Sequence, residues 1–139
     1  MSAIRSTGSV RAAAGIAAWM AAWLVACGAS NAGGIPSVSP DEILALRGQT
    51  TAPLLLDVRT PQEFQGGHVP GAVNIPHTEL TARLGDIEAA RESGVVVYCE
   101  SGRRAAAAAN VLLDAGFEDV RHLEGDMSGW RAAGLPVER

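Results

Sequence analysis

The residues best suited to covalent chemistry lie together in one short segment, residues 95–105 (VVVYCESGRRA). The β-branched run 95–98 predicts a buried strand, and residues 103–114 predict a helix rich in alanine. Cys99 therefore stands where a strand passes into a helix through a short loop that contains Gly102. Successive N–H groups of such a loop point into one concavity at the helix N-terminus, which favours an anion there.

This position favours the reactive, ionised form of Cys99. A helix N-terminus contributes roughly 0.3–2 kcal/mol toward an anion, and about 1.4 kcal/mol is a tenfold change in ionisation. Arg103 and Arg104 add two fixed positive charges. We therefore expect Cys99 to be largely thiolate at neutral pH and to act as a nucleophile. The alternative is a buried structural cysteine, which the Gly-Arg-Arg continuation argues against.

The other titratable residues do not suggest a second reactive site. His77 and His122 have no cysteine or histidine at ligand spacing, so no metal site is predicted. His68 is a lone histidine that we expect to hold the segment 67–76 in place. The formal net charge is −4, and no basic run occurs, so binding to nucleic acid is not expected.

The N-terminal residues have the pattern of an export signal. Residues 1–11 contain two arginines and no acid, and residues 12–26 are uncharged and mostly apolar. The apolar run is shorter than the ~20 residues that a spanning helix needs. The ending Leu-Val-Ala-Cys at 24–27 resembles the bacterial lipobox, which implies cleavage before Cys27 and acylation of its thiol. More than one acyl chain gives stable anchoring.

We therefore expect an exported lipoprotein on the periplasmic face of a membrane, with a signal peptide at 1–26, a flexible tether at 27–38 and a domain at 39–139. Gly28, where an inner-membrane lipoprotein tends to have Asp, favours the outer membrane in a Gram-negative source. A plain secretory signal and an uncleaved anchor helix are the alternatives. Without residues 1–26, which carry two arginines and no acid, the formal charge of −4 becomes −6.

Strands and helices alternate along the rest of the chain. Two short helices begin with capping boxes, at Ser39-Pro40-Asp41-Glu42 and at Thr60-Pro61-Gln62-Glu63. Strands are predicted at 53–58, 72–75, 95–98 and 119–123, and further helices at 78–84, 86–91, 103–114 and 128–132. This order predicts an α/β domain with a mostly parallel sheet flanked by helices, with ligands at the carboxyl ends of strands.

Four sequence blocks, in order, carry a resemblance to a known family. They are Asp57-Val58-Arg59 with Glu63-Phe64, the segment Gly67–Pro76 (GHVPGAVNIP), Tyr98–Arg104 (YCESGRR) and Leu123–Trp130 (LEGDMSGW). Together they span nearly all of residues 39–139, and these residues resemble a rhodanese-like domain. The resemblance implies the rhodanese-like α/β fold and thiosulfate sulfurtransferase activity.

The resemblance also implies a mechanism. Cys99 would take the outer sulfur of thiosulfate, or of a similar donor, as a persulfide and pass it to cyanide or a thiol. No metal or organic cofactor is implied. Arg104 would orient the donor, and the loop that holds the persulfide would consist of Glu100, Ser101, Gly102, Arg103 and Arg104.

Some features leave alternatives open. Related phosphatases place five residues between the cysteine and the arginine, whereas four separate Cys99 from Arg104, which leaves less room for a phosphate. A phosphatase or arsenate-reductase-like enzyme and a non-catalytic sulfur carrier are therefore the competing functions. Glu100 departs from the family pattern and is expected to face solvent, and Asp126 stands where relatives often have glycine. Asp57 and Arg59 are expected to order the loop from beneath.

Overall fold

A computed structural model describes residues 34–139, which are built around one five-stranded parallel sheet. The predicted signal peptide, the lipidation site Cys27 and most of the predicted tether lie outside these residues. The α/β class and the parallel sheet are confirmed. The strands are β1 Ser37–Val38, β2 Leu54–Asp57, β3 Val73–Asn74, β4 Val95–Tyr98 and β5 Val120–Leu123. Their order across the sheet is β1-β5-β4-β2-β3.

Helices connect the strands, as predicted except between β3 and β4. Both capping boxes form, at the starts of α1 (Pro40–Leu46) and α2 (Pro61–Gly66). The side chains of Ser39 and Thr60 accept hydrogen bonds from the N–H groups of Glu42 and Glu63. The carboxylates of these two glutamates in turn accept hydrogen bonds from the N–H groups of Ser39 and Thr60. A 3₁₀ helix spans Leu80–Ile87. The α-helices are α1 Pro40–Leu46, α2 Pro61–Gly66, α3 Ala90–Ser93, α4 Arg103–Asp114 and α5 Asp126–Ala132.

The region predicted as two helices, 78–84 and 86–91, folds differently. The 3₁₀ helix contains a kink at Arg83, and α3 is a single turn after it. Leu80 and Ile87 are buried and hold the two ends of the 3₁₀ helix against the core. Two buried residues seven positions apart do not require a regular α-helix between them, because 3₁₀ turns can connect them as well. Short 3₁₀ segments are common as connectors.

The predicted tether, residues 27–38, ends in a strand. Ser37 and Val38 pair in parallel with His122 and Leu123 of β5, and Val38 is buried. A two-residue strand is too short to show a hydrophobic period, so the sequence could not distinguish it from a linker. The folded domain therefore includes residues that were assigned to the tether.

The core lies on both faces of the sheet, and β4 contributes to both. Val95 and Val97 pack into one cluster with α4, whereas Val96 and Tyr98 pack into another with Trp130, as expected for side chains that alternate along a strand. All four residues of β4 are buried. The strand that leads into Cys99 is therefore fixed on both sides. Within residues 34–139, no helix has the length and apolar character needed to cross a bilayer.

Candidate active site

Cys99 lies at the carboxyl end of β4, and the loop after it runs directly into α4. Gly102 adopts the left-handed conformation, with φ of 101°, as the residue before the helix. This conformation points the Gly102 N–H at Cys99 Sγ, to which it donates a hydrogen bond of 3.0 Å. The cysteine is only 1% exposed, yet its sulfur faces the loop. The predicted strand, loop and helix are confirmed.

Further donors surround the loop. Within the described residues, the backbone N–H groups of Arg103, Arg104 and Ala105 in the first turn of α4 have no hydrogen-bond acceptor. Unpaired N–H groups at a helix N-terminus favour a negative charge. The backbone N–H of Cys99 does not join them, because it donates to Asp126 Oδ1 at 2.9 Å.

Arg104 is held by a carboxylate. Its two terminal nitrogens donate to the two oxygens of Glu63 at 2.8 and 2.9 Å. These hydrogen bonds lower the pKa of Glu63 to about 2 and raise the pKa of Arg104. In this structure the Arg104 guanidinium is therefore paired with Glu63 of α2, and its expected role in orienting a donor stays a prediction. Ser101 and Arg103 are exposed, and Arg103 forms no ion pair among residues 34–139.

The expectation that Glu100 faces solvent is wrong. Its side chain is one-third exposed and binds Arg131, the Ser128 hydroxyl and Arg59. The hydrogen bonds from Arg131, more than any other contact, lower the pKa of Glu100. Arg131 of α5 therefore compensates the negative charge of the Glu100 carboxylate.

Asp57 and Arg59 lie beneath the loop, as expected, and both are completely buried. The Arg59 guanidinium donates to Asp57 at 2.7–3.1 Å, to the carbonyl of Gly67 at 2.9 Å and to Glu100 at 3.3 Å. This one side chain therefore ties the end of β2 to the residue that follows the cysteine. A buried ion pair of this kind is stable because each charge is matched by hydrogen bonds.

The sequence did not reveal that Asp126 and His122 reach the loop. Asp126 is 3% exposed, and its Oδ1 lies 2.9 Å from the Cys99 nitrogen and 3.0 Å from His122 Nε2. Its φ of 53° explains why glycine suits this position, and aspartate is among the residues that tolerate this conformation. In the sequence, the only sign that position 126 is unusual is an aspartate where relatives often have glycine. This sign does not indicate that Asp126 contacts Cys99.

α5 begins at Asp126, two residues before the predicted start, and holds the loop as well. The N–H groups of Met127 and Ser128 donate to the carbonyls of Cys99 and Glu100 at 3.0 and 3.2 Å. The first turn of a helix needs such acceptors, and here the loop supplies them. Within the described residues, no cluster of three or more histidine, cysteine or acidic side chains forms a metal site.

Comparison with known proteins establishes the family. The model of the family described as Rhodanese-like domain matches residues 39–133. This chain therefore belongs to the rhodanese-like domain family, and the match covers all the elements that build the cysteine loop.

The matches to individual proteins cover different shares of those proteins. The chain is 40% identical over 120 residues to an HTH-type transcriptional regulator of Mycobacterium tuberculosis. This match covers 82% of this chain and 50% of that protein. It is 37% identical over 84 residues to a sulfurtransferase of Allochromatium vinosum, covering 60% and 77%. The crystal structure of a thiosulfate sulfurtransferase from Pseudomonas aeruginosa matches with a TM-score of 0.67 and 29% identity, covering 76% of this chain and 20% of that one.

Proposed function

We propose that this protein is a sulfurtransferase that takes sulfane sulfur from thiosulfate, or a similar donor, onto Cys99 and delivers it to cyanide or a thiol. The observation that carries the proposal is the hydrogen bond from the Gly102 N–H to Cys99 Sγ, at the mouth of a helix N-terminus with unpaired donors. The names of the relatives from A. vinosum and P. aeruginosa support the same reaction class.

The reaction proceeds by two displacements at sulfur. The Cys99 thiolate attacks the outer sulfur of thiosulfate, the S–S bond breaks, and sulfite leaves with the bonding electron pair. A persulfide remains on Cys99. Cyanide then attacks the terminal sulfur, which yields thiocyanate and regenerates the thiolate. With a thiol acceptor, the thiolate form of that acceptor attacks and leaves as a persulfide.

The loop geometry suits a single projecting sulfur atom. Because Cys99 is almost completely buried, a donor must present one atom to its sulfur through the loop. The N–H groups of Gly102 and of the first turn of α4 then serve as donors to the thiolate and to the terminal sulfur of the persulfide. Donors that are already in place stabilise such charge without reorganisation. The four-residue spacing between Cys99 and Arg104 leaves less space for a phosphate.

Steady-state thiocyanate formation from thiosulfate and cyanide tests the proposal. Cys99→Ser should abolish turnover, because the oxygen nucleophile cannot carry the transferred sulfur. Cys27→Ser removes the only other cysteine and should retain turnover. A Cys99→Ser variant as active as wild type, or hydrolysis of an aryl phosphate by wild type without thiocyanate formation, contradicts the proposal.

We also propose that the protein is an exported lipoprotein, anchored through Cys27 at the periplasmic face and, in a Gram-negative source, in the outer membrane. The support is the pattern of residues 1–28 alone. Mass spectrometry of the mature N-terminal peptide should find an acylated Cys27 as the first residue. An intact Met1 terminus or an unmodified Cys27 contradicts this proposal and leaves the one on Cys99 unaffected.

A further inference from the structure

A carboxylate and a histidine that the sulfur-transfer steps do not use lie directly beneath the reactive loop. Asp126 Oδ1 is shared between the backbone N–H of Cys99 and His122 Nε2. Asp126 Oδ2 lies on the other side, only 3.1 Å from where a β-carbon on Gly102 would stand. The ring of His122 approaches the same point, at 3.4 Å. The pair therefore binds the loop at Cys99 and leaves no room for a side chain at Gly102.

The charge of Asp126 has one close partner. Its carboxylate is 3% exposed, and among the described residues His122 is the only titratable side chain that contacts it. A buried carboxylate without a partner is costly and disfavours a second negative charge nearby. Hydrogen bonding to Asp126 raises the pKa of His122, which favours its charged form. Whenever His122 is protonated, its positive charge balances the negative charge of the Asp126 carboxylate.

The other charged groups near the pair have partners of their own or are exposed. Arg104 at the start of α4 is paired with Glu63, and Glu124 after β5 accepts from the Ser37 hydroxyl. Arg121 in β5 is paired with Asp119. Arg103 is exposed, and β1 and β4 contribute no charged side chain to His122. None of these groups forms an ion pair with His122 among residues 34–139.

We propose that Asp126 and His122 are a positioning pair for Cys99. Asp126 fixes the cysteine backbone and turns its N–H away from the loop, and His122, whose Nε2 lies 3.0 Å from Asp126 Oδ1, offsets in its protonated form the carboxylate charge that would otherwise oppose the thiolate. The proposal deepens the proposed function, on which it rests for naming Cys99 as the reacting group. In this proposal, Asp126 places a buried negative charge close to Cys99, at a position where relatives often have glycine. His122 offsets that charge.

Variants of the two residues should act differently on Cys99. His122→Gln leaves the Asp126 carboxylate uncompensated and should move the pH midpoint of Cys99 alkylation upward by roughly one unit, the size expected for a like charge at close range. Asp126→Asn retains an oxygen for the Cys99 N–H and removes the charge, so it should not raise the midpoint. The double variant is neutral again and should return the midpoint toward the wild-type value.

The experiment measures the alkylation rate of Cys99 by iodoacetamide against pH, in the Cys27→Ser protein. Glu124→Gln is the matched control, since it removes a carboxylate two residues from Asp126 that contacts Ser37 instead, and it should not shift the midpoint. Thermal unfolding of each variant confirms that it is folded. If Asp126→Asn does not fold, His122→Gln still tests the proposal, because His122 is partly exposed.

Three results would overturn the proposal. The first is a His122→Gln midpoint equal to that of wild type. The second is an Asp126→Asn midpoint that rises as much as that of His122→Gln, which indicates a purely structural role. The third is a double variant that stays as high as His122→Gln alone. Alkylation needs no sulfur donor, so a protein that fails to transfer sulfur but shows these shifts would contradict the proposed function and leave the pair in place.

Discussion

At the scale of single residues, two of the charged side chains beside Cys99, Arg104 and Glu100, are already paired. Glu63 holds Arg104, and Glu100 is bound by Arg131 and Arg59. In the proposed reaction, with Arg104 orienting the donor, a dianion such as thiosulfate therefore competes with Glu63 for the Arg104 guanidinium. This arrangement reduces the attraction for a charged donor below what two loop arginines suggest from the sequence.

The Glu63→Gln variant tests this competition. It should lower the KM for thiosulfate about fivefold and leave kcat nearly unchanged, because a partly exposed pair contributes about 1 kcal/mol. Glutamine also completes a capping box, so α2 should remain intact. Glu42→Gln makes the same change in the capping box of α1 and should not alter KM. Equal KM values for Glu63→Gln and wild type would remove Glu63 from donor selection.

Protonation of His122 should be visible in stability. Since its folded pKa is raised above the ordinary value of about 6.5, its contribution is complete below that pH and is lost as pH rises through the folded pKa. Wild type should therefore lose more free energy of unfolding than His122→Gln between about pH 6 and pH 9. Urea unfolding at several pH values measures this difference, and parallel curves for the two proteins would contradict it.

At the scale of elements, the loop depends on the left-handed Gly102 and on the first turn of α5. Any side chain at 102 meets both an unfavourable φ of 101° and the Asp126 carboxylate at 3.1 Å. The carbonyls of Cys99 and Glu100 are held by N–H groups of α5. The N-terminal ends of α4 and α5 therefore define the position of the Cys99 sulfur before any sulfur donor binds.

Gly102→Ala should destabilise the protein by about 1–3 kcal/mol and strongly reduce sulfur transfer, because strain and crowding coincide at the loop. Gly48→Ala is the matched control. Gly48 also has a positive φ, of 77°, but no atom lies within 4 Å of the point that a β-carbon there would occupy. It should show strain alone and retain turnover. Chemical unfolding and thiocyanate formation distinguish the two variants, and a fully active Gly102→Ala would refute this account of the loop.

At the scale of the whole molecule, the buried pair of Asp57 and Arg59 connects the sheet to the loop. Arg59 reaches Asp57 in β2, the carbonyl of Gly67 after α2, and Glu100, which binds α5 through Arg131. Removing Asp57 leaves the buried Arg59 charge with only the longer contact to Glu100, at 3.3 Å, as its carboxylate partner. The site is therefore part of the fold, and its geometry is maintained by the same contacts that stabilise the domain.

Asp57→Asn should reduce the free energy of unfolding by about 3–5 kcal/mol, because Arg59 keeps its charge inside the core. Asp119→Asn removes an exposed partner of Arg121 and should cost less than about 1 kcal/mol. Urea unfolding of both variants provides the comparison. A similar loss in the two variants would show that the buried pair contributes no more than a surface pair.

Local patterns predicted much of the fold and the position of the cysteine. The capping boxes at Ser39 and Thr60, the strand before Cys99 and the helix after it are local features, and the structure confirms each. The partners of the site could not be predicted, because Glu63 and Arg104 are 41 residues apart and Cys99 and Asp126 are 27 apart. Such contacts depend on how the elements pack against one another, and the local patterns of a single sequence do not reveal this packing.

The intact mass of the protein after incubation with thiosulfate tests the central claim most directly. The account predicts a gain of one sulfur atom on Cys99 that cyanide removes, in wild type and in Cys27→Ser, and no gain in Cys99→Ser. A wild-type protein that gains no sulfur, or a gain that persists in Cys99→Ser, would contradict it.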